Sequence, residues 1–152
     1  MLPAGQPKFK RRKADRPEEI VAAAMGIFAE KGFAAARLDD IAARAGVSKG
    51  ALYLYFATKE DLFRAVIEQG VAPNLGRMQA ALVEHRGAFP ELLRAFAAIA
   101  VGIATETPVG GIAKMVIGES RNFPELARAW RERLVEPALG AIIHADLIVL
   151  GP

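Results

Sequence analysis

The stretch IAARAGVSKGALYLYF, Ile41 to Phe56, decides how the rest of the chain is read. A helical pattern runs to Ala45, breaks at Gly46, resumes after Ser48 and ends among aromatics. Two short helices joined by a tight turn containing glycine make a helix-turn-helix. Gly46 suits the corner, where a positive φ penalises any Cβ. Val47 is the apolar plug between the helices. Ile41, Ala42 and Ala45 pack the first helix, and the alanines let the second come close. Lys49 and Tyr53 are four residues apart and share one side of the second helix. Gly50 and Ala51 are small enough for backbone to approach a surface, whereas Leu52 and Phe56 read as core. A major groove admits one helix whose N-terminal residues meet base edges, and this set of side chains fits it.

An ordinary helical hairpin obeys the same turn grammar, so the flanking residues have to separate the two readings. Tyr55 offers a hydroxyl. Lys59 falls in the first turn of the next helix, where free N–H groups favour an anion and the macrodipole disfavours a lysine. Its presence there favours a phosphate-binding role.

Working outward, DRPEEIVAAAMGIFAEKGF carries helix punctuation at both ends. Asp15 and Glu18 have capping-box spacing, Pro17 suits a first turn, and Gly32 suits a left-handed cap. Ile20, Ala23, Ala24, Ile27 and Phe28 form one apolar stripe. The second helix spans Leu38 to Ala45 and the third runs from a Ser48 cap to Leu54. Thr58 and Asp61 box a fourth that runs to Gln69. GVAPNLG, Gly70 to Gly76, reads as a boundary. Four further helices follow, over 74–84, from Pro90, over 111–120 and from Pro124, with Pro137 expected to kink or interrupt the last. The expectation is an all-α chain. Residues 1–16 are a basic arm, 17–70 a three-helix helix-turn-helix domain with its connecting helix, and 71–152 a helical ligand-binding and dimerisation domain.

Composition agrees. Hydrophobic residues make up 53% of the chain, with alanine dominant. There is no cysteine, which excludes disulfides and thiolate-bound zinc. The longest uncharged apolar run, Ala95 to Ala104, is too short to span a bilayer, and the basic N-terminus has no apolar stretch behind it to make a secretory signal. A soluble, cytoplasmic protein without a membrane partner is expected. The net charge of +3 is uneven, because KFKRRKADR, Lys8 to Arg16, holds six basic residues against one acid. Such a tail is either a solvated terminus or an arm that neutralises phosphates.

The run EEIVAAAMGIFAEKGFAAARLDDIAARAGVSKGALYLYFATKEDLFRAV resembles the DNA-binding domain of the TetR family of bacterial transcriptional regulators, over about residues 17–67 without a gap. The resemblance implies an all-helical homodimeric repressor that binds a near-palindromic duplex operator and is released by a small-molecule inducer. It implies that the third helix is the recognition helix, entered at Ser48, with Lys49, Gly50, Ala51 and Tyr53 facing bases and Tyr55 and Lys59 on phosphates. The family usually places Ser or Thr three residues ahead of Asp40. Arg37 stands there instead, so a charged phosphate contact replaces the hydroxyl and the helix cap is lost, at a cost of ~1 kcal/mol. MVIGESRNFPELARAW is similar to a recurring junction in the family's C-terminal domain. The end, GAIIHADLIVLGP, reads as if most of the family's last helix were absent.

Catalysis finds no support. The only serines are Ser48 and Ser120, and His85 and His144 lie far apart, in no metal-binding or nucleophile motif. No cofactor or metal is expected. A ligand pocket between the C-terminal helices would be lined by Met78, Phe96, Ile99, Ile103, Met115 and Trp130, with Glu119 and Arg121 at its mouth; each apolar residue taken singly reads first as plain core, and the two charges read also as solvated surface. An apolar or aromatic inducer is the expectation. The competing reading is a helical small-molecule- or lipid-binding protein without DNA-binding activity. The basic arm, Lys49, Tyr55 and Lys59 argue against it.

Overall fold

The computed structural model describes residues 17–140 and 143. The basic arm with Asp15, and the terminal residues Ile142, His144 and 146–150, lie outside that range. Eight α-helices follow in order: α1 (Pro17–Lys31), α2 (Leu38–Ala45), α3 (Lys49–Tyr55), α4 (Lys59–Ala65), α5 (Ala72–Glu84), α6 (Phe89–Glu106), α7 (Val109–Glu119) and α8 (Pro124–Trp130). No strand occurs among the described residues.

The helix ends follow from local chemistry. Gly32 and Gly46 take left-handed φ of 82° and 70°. At Gly46 the backbone closes on α2 by Gly46 N–H to Ala43 O (3.2 Å) and Val47 N–H to Ala42 O (3.1 Å), the paired bonds of a Schellman ending. Val47 is partly buried against the core, as the plug reading required. The Ser48 hydroxyl accepts from Ala51 N–H and the Thr58 hydroxyl from Asp61 N–H, each at 3.1 Å. Arg37 is extended at the start of α2 and supplies no side-chain cap.

The expected boundary at Gly70 is not a break. A π-helical turn, Val66–Val71, carries α4 straight into α5. A second π turn, Arg131–Val135, follows α8, and the chain is helical again over 136–140, so Pro137 does not interrupt it. Each π turn ends two residues before a proline, Pro73 or Pro137. A proline inside a helix has no N–H to donate and crowds the carbonyl four residues back. Widening the preceding turn absorbs the mismatch. Ala72 N–H then bonds Ile67 O and Glu136 N–H bonds Arg131 O, each five residues back. The two π turns pack on each other and Arg133 pairs with Glu68 across them.

The core runs through both halves of the chain. Phe28, Phe33 and Phe63 are almost fully buried and meet with centroids 5.6–5.9 Å apart. Phe123, from the segment before α8, lies edge-on to Phe33 at 5.1 Å. Helix α1 is central, touching α2, α3 and α4 as well as α7. A Cβ on Gly111 would come within 2.7 Å of the Ala29 Cβ, so α7 approaches α1 more closely than an alanine there allows. Helix α6 differs: none of its residues is buried, and Phe89, Leu93 and Val101 are exposed despite its apolar sequence.

Candidate nucleic-acid interface

Helix α3 is fixed by its inner side chains. Leu52 is fully buried and Phe56, just past its end, nearly so. That orientation leaves Lys49, Gly50, Tyr53, Leu54 and Tyr55 exposed, with Ala51 half-buried. Leu54 is the most exposed large apolar side chain in the described chain, at 85%. Nothing lies within 4 Å of a Cβ built on Gly50, so the first turn of the helix is open to an approaching surface. The Ser48 hydroxyl is engaged as the cap, and Arg37 projects from the preceding loop as an exposed side chain.

Lys49 is not a free cation. Its Nζ lies 2.9 Å from Asp39 Oδ1, joining the first turns of α2 and α3. Hydrogen bonding to Lys49 holds the Asp39 carboxyl below the usual range, with Arg37 adding to the effect, and the same bond holds the Lys49 ammonium above its usual range. Asp40 pairs with Lys31 at 3.3 Å. Arg44 grips Glu30 with two bonds of 2.9 and 2.8 Å, tying α2 to α1.

Lys59 has partners within the protein itself. Its ammonium donates to Phe33 O (2.7 Å), Ala36 O (3.2 Å) and Ala34 O (3.3 Å), and lies 4.6 Å from the centre of the Phe33 ring. A lysine in a first helical turn did need a reason, and the reason is structural: it collects the carbonyls of the loop that delivers α2. All three ammonium donors are engaged, which removes the argument that Lys59 waits for a phosphate. Glu119 is engaged likewise. It is absent from the cavity among the C-terminal helices and lines instead a cleft between α1 and α7; its carboxylate accepts from Phe33 N–H (3.0 Å) and Ala34 N–H (2.8 Å). A Cβ on Gly32 would run into it. The loop between α1 and α2 is thus held by a cation from α4 and an anion from α7.

The predicted pocket residues divide. Met78, Ile103 and Trp130 line one cavity of about 200 Å³ between α5, α6, α7 and α8, together with Leu75, Val109 and Leu134. Met115 is buried and lines the separate cleft between α1 and α7, Phe96 and Ile99 are half-buried outside the cavity lining, and Arg121 is exposed. The cavity wall includes Asn74, the one buried polar side chain among the described residues. Both of its polar atoms have partners: Nδ2 donates to Gly70 O at 3.0 Å and Oδ1 accepts from Arg77. Among the described residues no cluster of His, Asp or Glu is placed to hold a metal, and no single helix is long and apolar enough to cross a membrane.

An exposed α3, anchored from beneath and capped by Ser48 beyond a glycine corner, defines the helix-turn-helix class. Comparison with known proteins narrows it. Residues 20–66 match the model for bacterial regulatory proteins of the TetR family. The chain is similar to the uncharacterised HTH-type transcriptional regulator YfiR of Bacillus subtilis, 34% identical over 83 residues that make up 55% of this chain and 40% of that protein. It is also similar to the HTH-type transcriptional repressor BepR of Brucella suis, 37% identical over 79 residues, 51% of this chain and 38% of that protein. The crystal structure of a regulator assigned to the TetR family from Mesorhizobium loti superimposes with a TM-score of 0.73 at 26% identity, over 89% of this chain and 68% of that one. In sequence and in fold, this chain resembles the TetR family. Its matched stretch spans less than half the length of these curated relatives.

Proposed function

We propose that this chain is the DNA-reading and ligand-sensing part of a transcriptional regulator, a cytoplasmic homodimeric repressor that a small apolar molecule releases from a near-palindromic operator. The observation that carries the reading is the outward face of α3. Lys49, Gly50, Tyr53 and Leu54 are exposed together on a helix whose other side is locked into the core. A recognition helix presents base-edge contacts from its N-terminal residues in this way. Lys49 offers donors to guanine O6 and N7, and Leu54 an apolar surface for a thymine methyl. Tyr55 and Arg37 supply phosphate contacts at the rim. The basic arm adds sequence-independent affinity that salt weakens. Repression is the activity named for BepR.

The cavity supports an apolar ligand. It is smaller than the pockets that hold drug-sized molecules, which run to roughly 300–1,000 Å³, and both polar atoms of its one buried polar side chain already have protein partners. The exposed apolar residues of α6, with Leu139 and Ile143, support pairing with a second copy. Footprinting on the DNA upstream of the chain's own coding region, with and without small apolar aromatics, tests the whole reading. Protection of two half-sites about one helical turn apart, lost on adding ligand, is the expected result. Ligand binding with no protection of any duplex would favour the helical small-molecule-binding alternative.

A further inference from the structure

Asp39 has an ordinary explanation, because a carboxylate in the first turn of α2 suits the helix dipole. Lys49 has none of that kind, since a lysine in the first turn of α3 opposes the dipole. An exposed ion pair is itself weakly stabilising, and both side chains are about half exposed, at 59% and 48%. Yet among the described residues this is the ion pair that joins the two helices of the motif, and it lies on the face offered to DNA.

The chemistry left over after pairing is informative. One contact at 2.9 Å uses one ammonium donor and one carboxylate lone pair. Two lysine donors and several acceptor sites on Asp39 remain. The pair therefore presents a donor group and an acceptor group side by side. A G·C pair shows the complement on its major-groove edge: the N7 and O6 acceptors of guanine, then the N4 amino donor of cytosine. An A·T pair interposes its donor between two acceptors, so the carboxylate would meet the thymine O4.

We infer that Asp39 and Lys49 act as one reading unit that selects a G·C base pair in each half-site, Lys49 donating to guanine and Asp39 accepting from cytosine N4. This rests on α3 being the recognition helix. A lone lysine donates to several base acceptors and discriminates poorly; the neighbouring carboxylate penalises every base pair that puts an acceptor opposite it. Arg37, whose charge acts on both members, keeps the patch net positive beside the phosphates.

The test is selection of duplexes from a random pool by the full chain, with wild type, Lys49→Ala, Asp39→Ala and Asp39→Asn. Wild type should fix one G·C pair per half-site, with a preference on the order of tenfold over A·T. Lys49→Ala and Asp39→Ala should both relax that same pair to within about twofold, and Asp39→Ala should gain affinity for random DNA because a negative charge is removed. Asp39→Asn should admit A·T, since the amide NH2 can donate to the thymine O4 that the carboxylate repels; it also carries the test if the alanine variant melts early. Selection of unchanged sequences by both Asp39 variants, or relaxation of a different pair from that affected by Lys49→Ala, would overturn the proposal while leaving α3 as the reader. Absence of any selected sequence with wild type would overturn the recognition-helix reading itself.

Discussion

Replacing Lys59 by alanine separates two accounts of that residue. In the structure its ammonium holds three loop carbonyls and faces the Phe33 ring. The 2.7 Å bond to Phe33 O is a charge-assisted hydrogen bond, a kind that contributes roughly 1.5–3 kcal/mol. The ring contact adds about 0.5–1 kcal/mol. The two longer bonds share the same charge and are partly replaceable by water, so they add little. Freed side-chain entropy returns about 1 kcal/mol. A net loss of about 1–3 kcal/mol follows. For a chain of this size each kcal/mol lowers Tm by roughly 2–4 °C, so Lys59→Ala should melt about 2–12 °C early by circular dichroism. Lys59→Met, which keeps the apolar stem, should recover only part of that. DNA binding measured well below the melting point should change modestly. An unaltered Tm combined with a uniform loss of affinity for all duplexes would refute this reasoning and restore Lys59 as a phosphate contact.

Glu119→Gln leaves one acceptor for two N–H groups and should cost about 1–2 kcal/mol in urea unfolding, with faster hydrogen exchange at the Phe33 and Ala34 amides; unchanged exchange there would break the link between α7 and the α1–α2 loop. Gly46→Ala meets no atom within 4 Å, so its penalty is backbone alone, about 1–2 kcal/mol for a left-handed residue with a Cβ, measured as a lower urea midpoint. Glu30 is held below the usual carboxylate range chiefly by its hydrogen bonds to Arg44. Its contribution to stability is therefore full above the ordinary glutamate range and is lost as pH falls through the lowered value. Arg44→Ala should move the Glu30 midpoint upward in a carbon-13 titration and narrow the acid-sensitive window; an unmoved midpoint would contradict the bidentate pair.

The helix-turn-helix was legible because its determinants are local. Gly46, Val47, Ser48 and Thr58 act on neighbours within about four residues, and turn and cap grammar reads that range. Lys59 was recognisable as anomalous for its position, but the dipole argument only says that something offsets the cost. It does not say whether a phosphate or a set of carbonyls does so. Glu119 meets its partners 85 and 86 residues away, and no periodicity encodes that meeting. The cavity was half legible for a related reason. Helical spacing gives the inward face of α6, but whether Ile103 or Phe96 meets α5 and α7 depends on where the helices cross. Pro73 and Pro137 did signal local irregularity; the sequence reading made it a boundary at the first and a kink or interruption at the second, whereas a widened turn keeps the helix continuous.

The central claim is that the outward face of α3 reads base sequence. The most direct measurement is the ratio of affinities for a selected duplex and a random one, at fixed salt, for wild type, Lys49→Ala and Tyr53→Ala. The account predicts a high ratio for wild type that collapses in both variants while random-DNA affinity, carried by phosphate contacts, persists. A ratio near one for wild type, or one that survives both substitutions, would contradict it.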